Sequence, residues 1–81
     1  MARLPAVDEQ SFDDHLASTE GVLMVDVTAA WCGPCRMMTP VLERVASRAD
    51  PRLSIVTLDA DANPGTASRF GVRSLPTLLF F

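Results

Sequence analysis

Cys32 and Cys35 are the only cysteines in the chain and stand two residues apart around Gly33 and Pro34. A bond between them closes so small a loop that chain entropy contributes only about 2 kcal/mol, against about 3 for a 15-residue loop. The pair is therefore badly placed as a staple. Zinc needs about four ligands, and two cysteines with one distant histidine, His15, cannot close such a site within one chain. A metal or cluster shared by two chains through Cys32 and Cys35 stays open. The remaining chemistry is thiol-disulfide exchange, in which a thiolate attacks a disulfide sulfur. A free thiol has a pKa of about 8.5 and is about 3% ionised at neutral pH, whereas a pKa near about 7 ionises roughly half of it.

The elements on either side supply the means of lowering that pKa. Val22 to Thr28 is a nearly continuous apolar run, which suits a strand covered on both faces of a parallel, helix-flanked sheet. After the cysteines, Met38, Val41, Leu42, Val45, Ala46 and Ala49 recur at helical spacing, with Pro40 expected to kink the helix. Cys32 thus falls at a helix N-terminus, where unpaired amides and the helix dipole favour a thiolate. Cys35, one turn on and expected to be more buried, can attack the mixed disulfide and release the reduced substrate.

The remaining elements follow from caps and breakers. Ser11 reads as the N-cap of a short helix ending before Gly21, and Leu53 to Leu58 as a second strand. Asn63 and Pro64 open another short helix that Gly71 closes, and Thr77 to Phe81 forms a last strand. Leu4 to Val7 is a weak extra strand around Pro5. The order predicts an α/β sheet. Asp59, Asp61 and Asn63 open like a calcium loop, but Pro64 and Phe70 stand where glycine and glutamate are needed, so no calcium site is expected.

Composition narrows the function class. Seven arginines and no lysine against 10 acidic residues give a net charge of -3, which argues against nucleic acid or a membrane surface as the main partner. The 48% hydrophobic content of these 81 residues fits one globular domain with a thin core. The amino terminus lacks the apolar run of a secretory leader, and the longest apolar stretch is too short to span a bilayer. A close cysteine pair without an export signal points to a reducing compartment, and the cytoplasm is the expected location.

Trp31-Cys-Gly-Pro-Cys35, Asp26, Pro40, Asn63-Pro-Gly65 and Arg73-Ser-Leu-Pro-Thr77 together resemble thioredoxin, from about Ser11 to Phe81. The resemblance implies a thioredoxin-like fold, a central mixed sheet flanked by helices. It implies a protein-disulfide reductase without cofactor, recharged by thioredoxin reductase or another dithiol donor. It places Cys32 as nucleophile, Cys35 as resolving thiol and Asp26 as a buried carboxylate beneath Cys35, able to take its proton. The residues alone leave Asp26 either buried or at a solvent-facing strand end. Trp31, Gly33, Pro34, Leu75 and Pro76 become the substrate-binding surface, with Pro76 cis and the Leu75 backbone offered to an extended substrate. Trp31 would donate its indole N–H to Asp61.

Two departures stand out. Thr57 occupies the position beside Asp26 where thioredoxins commonly carry lysine, and Thr28 one where they often carry an aromatic residue. Arg36 and Arg73 read as solvated charges that could steer acidic substrates, and His15 as an exposed helix residue. Residues 1–81 are expected to form a single thioredoxin-like domain that is incomplete at the C-terminus, without the family's last strand and final helix. That expectation leaves an open strand edge through which chains could self-associate. It also keeps two alternatives to a working reductase, a redox-impaired fragment or interaction module and the shared metal half-site.

Overall fold

The computed structural model describes residues 4–81; Met1 to Arg3, part of the amino-terminal stretch read for a leader, lie outside them. In chain order the elements are β1 (Ala6–Val7), α1 (Phe12–Ser18), β2 (Val22–Thr28), α2 (Gly33–Arg48), β3 (Leu53–Asp59), α3 (Pro64–Arg69) and β4 (Thr77–Phe80). They build one sheet in the order β1-β3-β2-β4. β2 runs parallel to β3, from Val22 beside Leu53 to Thr28 beside Asp59.

β4 departs from the parallel sheet that the apolar run of β2 implied. It lies antiparallel to β2, with Met24 opposite Phe80 and Val27 opposite Thr77, so the sheet is mixed. α3 and the segment after it carry the chain from β3 across the sheet, and Thr77 enters beside Val27, near the C-terminal end of β2. The ladder continues past β4, because Leu23 and Phe81 exchange both backbone bonds, at 3.0 and 2.9 Å.

Strand alternation divides the core. Leu23, Val25 and Val27 of β2 pack with Val56, Leu58, Val7 and Phe12 on the α1 and α3 side. Met24 faces the other way, onto Leu42 of α2 and Ile55. The inward stripe of α2 is buried Cys35 and Leu42 with half-buried Met38 and Ala46, narrower than the apolar pattern suggested. Val41 and Val45 are exposed, because periodicity marks an apolar sector but not the width of the surface that meets it.

Two expected helix caps are replaced by others. Ser11 makes no side-chain cap. Asp8 is the capping residue: its carboxylate accepts from the Ser11 amide at 2.8 Å while the Ser11 hydroxyl accepts from the Asp8 amide at 3.1 Å. The reciprocal pair is a capping-box arrangement in the turn that leads into α1, where the Phe12 amide also bonds the Asp8 carbonyl at 2.9 Å. The Ser11 amide, with smaller help from the Ser11 hydroxyl and the Gln10 amide, holds the Asp8 carboxyl below its ordinary pKa. Asn63 likewise gives α3 no side-chain cap, and its place is taken by Glu9 from across the fold. The far end of α3 forms as expected, with Gly71 at φ +67° and the Gly71 and Val72 amides bonded to Ser68 and Ala67. Gly21, at φ +87°, sits where a side chain would collide with the Arg52 carbonyl that bonds Val22. His15 is half-buried rather than exposed.

Candidate functional site

β2 ends at Thr28, and a tight turn closed by the Cys32 amide on the Ala29 carbonyl brings Cys32 to the N-cap of α2. Cys32 has the extended backbone of a cap, φ -83° and ψ 106°, and its sulfur accepts the Cys35 amide at 3.2 Å. The sulfur therefore occupies the place of an N-cap oxygen. Pro34, inside the first turn, has no amide to leave unpaired. Cys32 and Cys35 are joined in a disulfide with their Cα atoms 5.3 Å apart.

The expected contrast in exposure between the two thiols is absent in this oxidised form. Cys32 is 3% exposed and Cys35 0%, because the bond draws both sulfurs together under Ala29 and Leu75. The difference that persists is positional: Cys32 is at the cap, and Cys35 is inside the helix.

Asp26 is buried, 0% exposed, on the face of β2 that Met24 turns toward α2. Among the described residues neither of its carboxylate oxygens has a hydrogen-bond partner. Thr57 lies beside it in register, but the Thr57 hydroxyl is directed at the Pro5 carbonyl, 3.5 Å away. Loss of water without a compensating bond pushes the Asp26 carboxyl above its ordinary value.

The Leu75–Pro76 bond is cis, and Leu75 packs against the cysteine pair. Trp31 is 66% exposed, and its indole N–H donates to Asp61 at 2.7 Å. Gly33 has nothing within 4 Å of where a side chain would stand, so the approach over the turn is open. Arg36 is exposed but not free in solution, since its guanidinium donates to the Ala30 carbonyl at 2.8 Å. Arg73 is exposed on the rim of a groove of about 230 Å³ lined by Trp31, Asp61, Ala67, Val72, Ser74 and Leu75.

The small wall residues Ala67, Val72 and Ser74 escaped the sequence reading, since none carries a chemical signature. Asp59 was visible only as a failed calcium ligand. Its carboxylate accepts from the Asp61 and Ala62 amides at 2.9 and 3.2 Å, a turn that aspartate followed by small residues can signal.

The thioredoxin family profile matches residues 3–81. The chain is 41% identical to a thioredoxin of Synechocystis over 81 residues, all of this chain and 76% of that one. It is 49% identical to a thioredoxin of Staphylococcus saprophyticus over 75 residues, 93% of this chain and 70% of that one. The chain belongs to the thioredoxin family. Its backbone superimposes on the crystal structure of chloroplastic thioredoxin z with a TM-score of 0.90 at 31% identity, covering all of this chain and 72% of the other. The protein is a thiol-disulfide oxidoreductase, and Cys32 and Cys35 stand in the family's active-site position. The family acts on protein disulfides. No helix among the described residues is long and apolar enough to cross a membrane.

Proposed function

We propose that Cys32 is the attacking thiolate, Cys35 the resolving thiol and Asp26 the base that serves it. In the reduced protein the Cys32 thiolate attacks one sulfur of a substrate disulfide. The substrate S–S bond breaks, its distal sulfur leaves as a thiolate, and a mixed disulfide forms on Cys32. Cys35 then loses its proton toward Asp26 and attacks the Cys32 sulfur. The second substrate thiolate departs and takes up a proton, so two electrons have passed and the Cys32–Cys35 disulfide remains.

The observation that carries this assignment is the bond from the Cys35 amide to the Cys32 sulfur at the cap of α2. The same donor that satisfies the sulfur here would stabilise negative charge on it after reduction. The unpartnered Asp26 beneath the helix supports the base, because a carboxyl raised toward neutrality is matched to proton transfer. Trp31, Gly33, Pro34, Leu75 and Pro76 are read as the substrate surface, with the Leu75 backbone pairing with an extended segment around the target disulfide.

In this reading residues 1–81 act as one folding unit, thioredoxin reductase or another dithiol donor regenerates the thiols, and the cytoplasm is the working compartment. The decisive assay is dithiol-driven reduction of a disulfide-bonded protein with the parent chain and with Cys32→Ser. The parent turns over, and Cys32→Ser falls to the uncatalysed rate. Turnover that survives in Cys32→Ser removes the assignment.

A further inference from the structure

Both walls of the groove beside Cys32 hang from one clasp on the far side of α3. Glu9 donates its amide to the Asn63 side-chain oxygen at 3.0 Å, and its carboxylate accepts the Thr66 amide at 2.9 Å. Thr66 is the third residue of α3, so its amide is the one an N-cap side chain ordinarily takes. Asn63 is then free for other duties: it is buried, and its side-chain nitrogen donates to the Asp59 carbonyl at 3.0 Å. Asp59 holds the turn that carries Asp61, and Asp61 holds Trp31. In the other direction, α3 carries Ala67 of the groove wall and is tied through Gly71 and Val72 to the segment that ends at Leu75 and Pro76.

We infer that Glu9 is a positioning residue for substrate recognition, holding the Trp31 wall and the Leu75 wall at a fixed separation through Asn63 and the first turn of α3. Glu9 touches neither the cysteines nor the groove. Its effect passes through two hydrogen bonds that join segments more than fifty residues apart in sequence. A second residue reports on the same contact: a side chain at Gly65 would come within 2.6 Å of the Glu9 carboxylate oxygen. Gly65→Ala therefore displaces the Glu9 carboxylate, although alanine is the better helix former. Were the Glu9 contact of no consequence, Gly65→Ala would be neutral or beneficial; were it only a source of stability, the substitution would lower the melting temperature and leave KM unchanged. The clasp makes it harmful to recognition.

The inference rests on Trp31 and Leu75 being the substrate walls, so the experiment includes Trp31→Ala as a test of that reading. Steady-state KM and kcat are measured with insulin as the protein disulfide, and a single-turnover rate with hydroxyethyl disulfide, which is too small to span the groove. Glu9→Ala and Gly65→Ala should each raise KM for insulin about three- to tenfold, with kcat and the small-disulfide rate within about twofold of the parent. Glu9→Gln, which keeps an acceptor for the Thr66 amide, should restore KM to within about twofold.

An unchanged insulin KM in the alanine variants overturns the inference, as does an equal loss on both substrates or a Glu9→Gln variant as impaired as Glu9→Ala. Should Glu9→Ala fail to fold, Gly65→Ala carries the same test. A Trp31→Ala variant that raises KM while Glu9→Ala does not would leave the groove standing and remove the clasp. If Trp31→Ala also leaves KM unchanged, the groove reading itself falls.

Discussion

Replacing Asp26 with asparagine should stabilise this protein and slow it. The side chain is wholly buried, both oxygens are unpartnered among the described residues, and its register neighbours are Thr57 and Leu78. Nothing there offsets the cost of ionising the carboxyl. Asparagine is nearly isosteric and carries no charge, so the substitution keeps the packing and removes the penalty. A buried group without a hydrogen-bond partner costs about 1–3 kcal/mol and more when it is charged, so removing the charge is worth on the order of 1 kcal/mol, and in a domain of this size 1 kcal/mol moves the melting temperature by about 4–8 °C.

The pH dependence identifies the cause. The Asp26 carboxyl is raised in the folded protein above its ordinary 3.8. The protonated form therefore favours the fold fully below that value, and the advantage is lost as pH climbs through the raised pKa. Melting of the oxidised protein, followed by calorimetry across pH, should show parent and Asp26→Asn close together in acid and separating as pH rises. The same variant should lose kcat in protein-disulfide reduction more than KM, and its pH-rate profile should lose the limb that Asp26 supplies. A stability difference that does not change with pH, or an unaltered pH-rate profile, would refute the assignment.

After reduction, Cys32 should be alkylated by iodoacetamide much faster than Cys35 at neutral pH, because only Cys32 stands at the cap; equal rates, read by peptide mass mapping, would remove that distinction. Asp8→Ala should lower the melting temperature by a few degrees near neutral pH through loss of the capping box. Because hydrogen bonds from Ser11 depress the Asp8 pKa, the parent's advantage should fade as pH falls through that lowered value.

What could be read without coordinates follows the range over which each feature is encoded. β2 runs from Val22 to Thr28 as expected, because a buried strand announces itself in consecutive residues. α3 begins at Pro64 and is closed by Gly71 for the same reason: the fixed φ of proline and the positive φ of glycine are local facts. The cysteine turn is local as well, and with it the placement of Cys32 at a helix cap. The cis bond at Pro76 and the partner of Trp31 came instead from family resemblance, since neither is encoded by its neighbours. The direction of β4 is not legible in its own residues, because an apolar run reads the same both ways; the mixed sheet came from the family resemblance.

The caps mark where local reasoning stops. Asp8 and Ser11 are three residues apart and either could have led the capping box; the choice depends on where the chain leaves β1. Asn63 looked like the cap of α3 because asparagine before proline usually is one. A competing acceptor, Glu9, reaches the Thr66 amide and leaves the Asn63 side chain to bind the Glu9 amide and the Asp59 carbonyl instead. A glutamate near the amino terminus gives no local sign of a helix 57 residues away, and its exposure removes any hydrophobic signature that might have marked it. The nucleophile of this site is thus written in five consecutive residues, whereas the spacing of the walls around it depends on a contact that only the folded chain brings together.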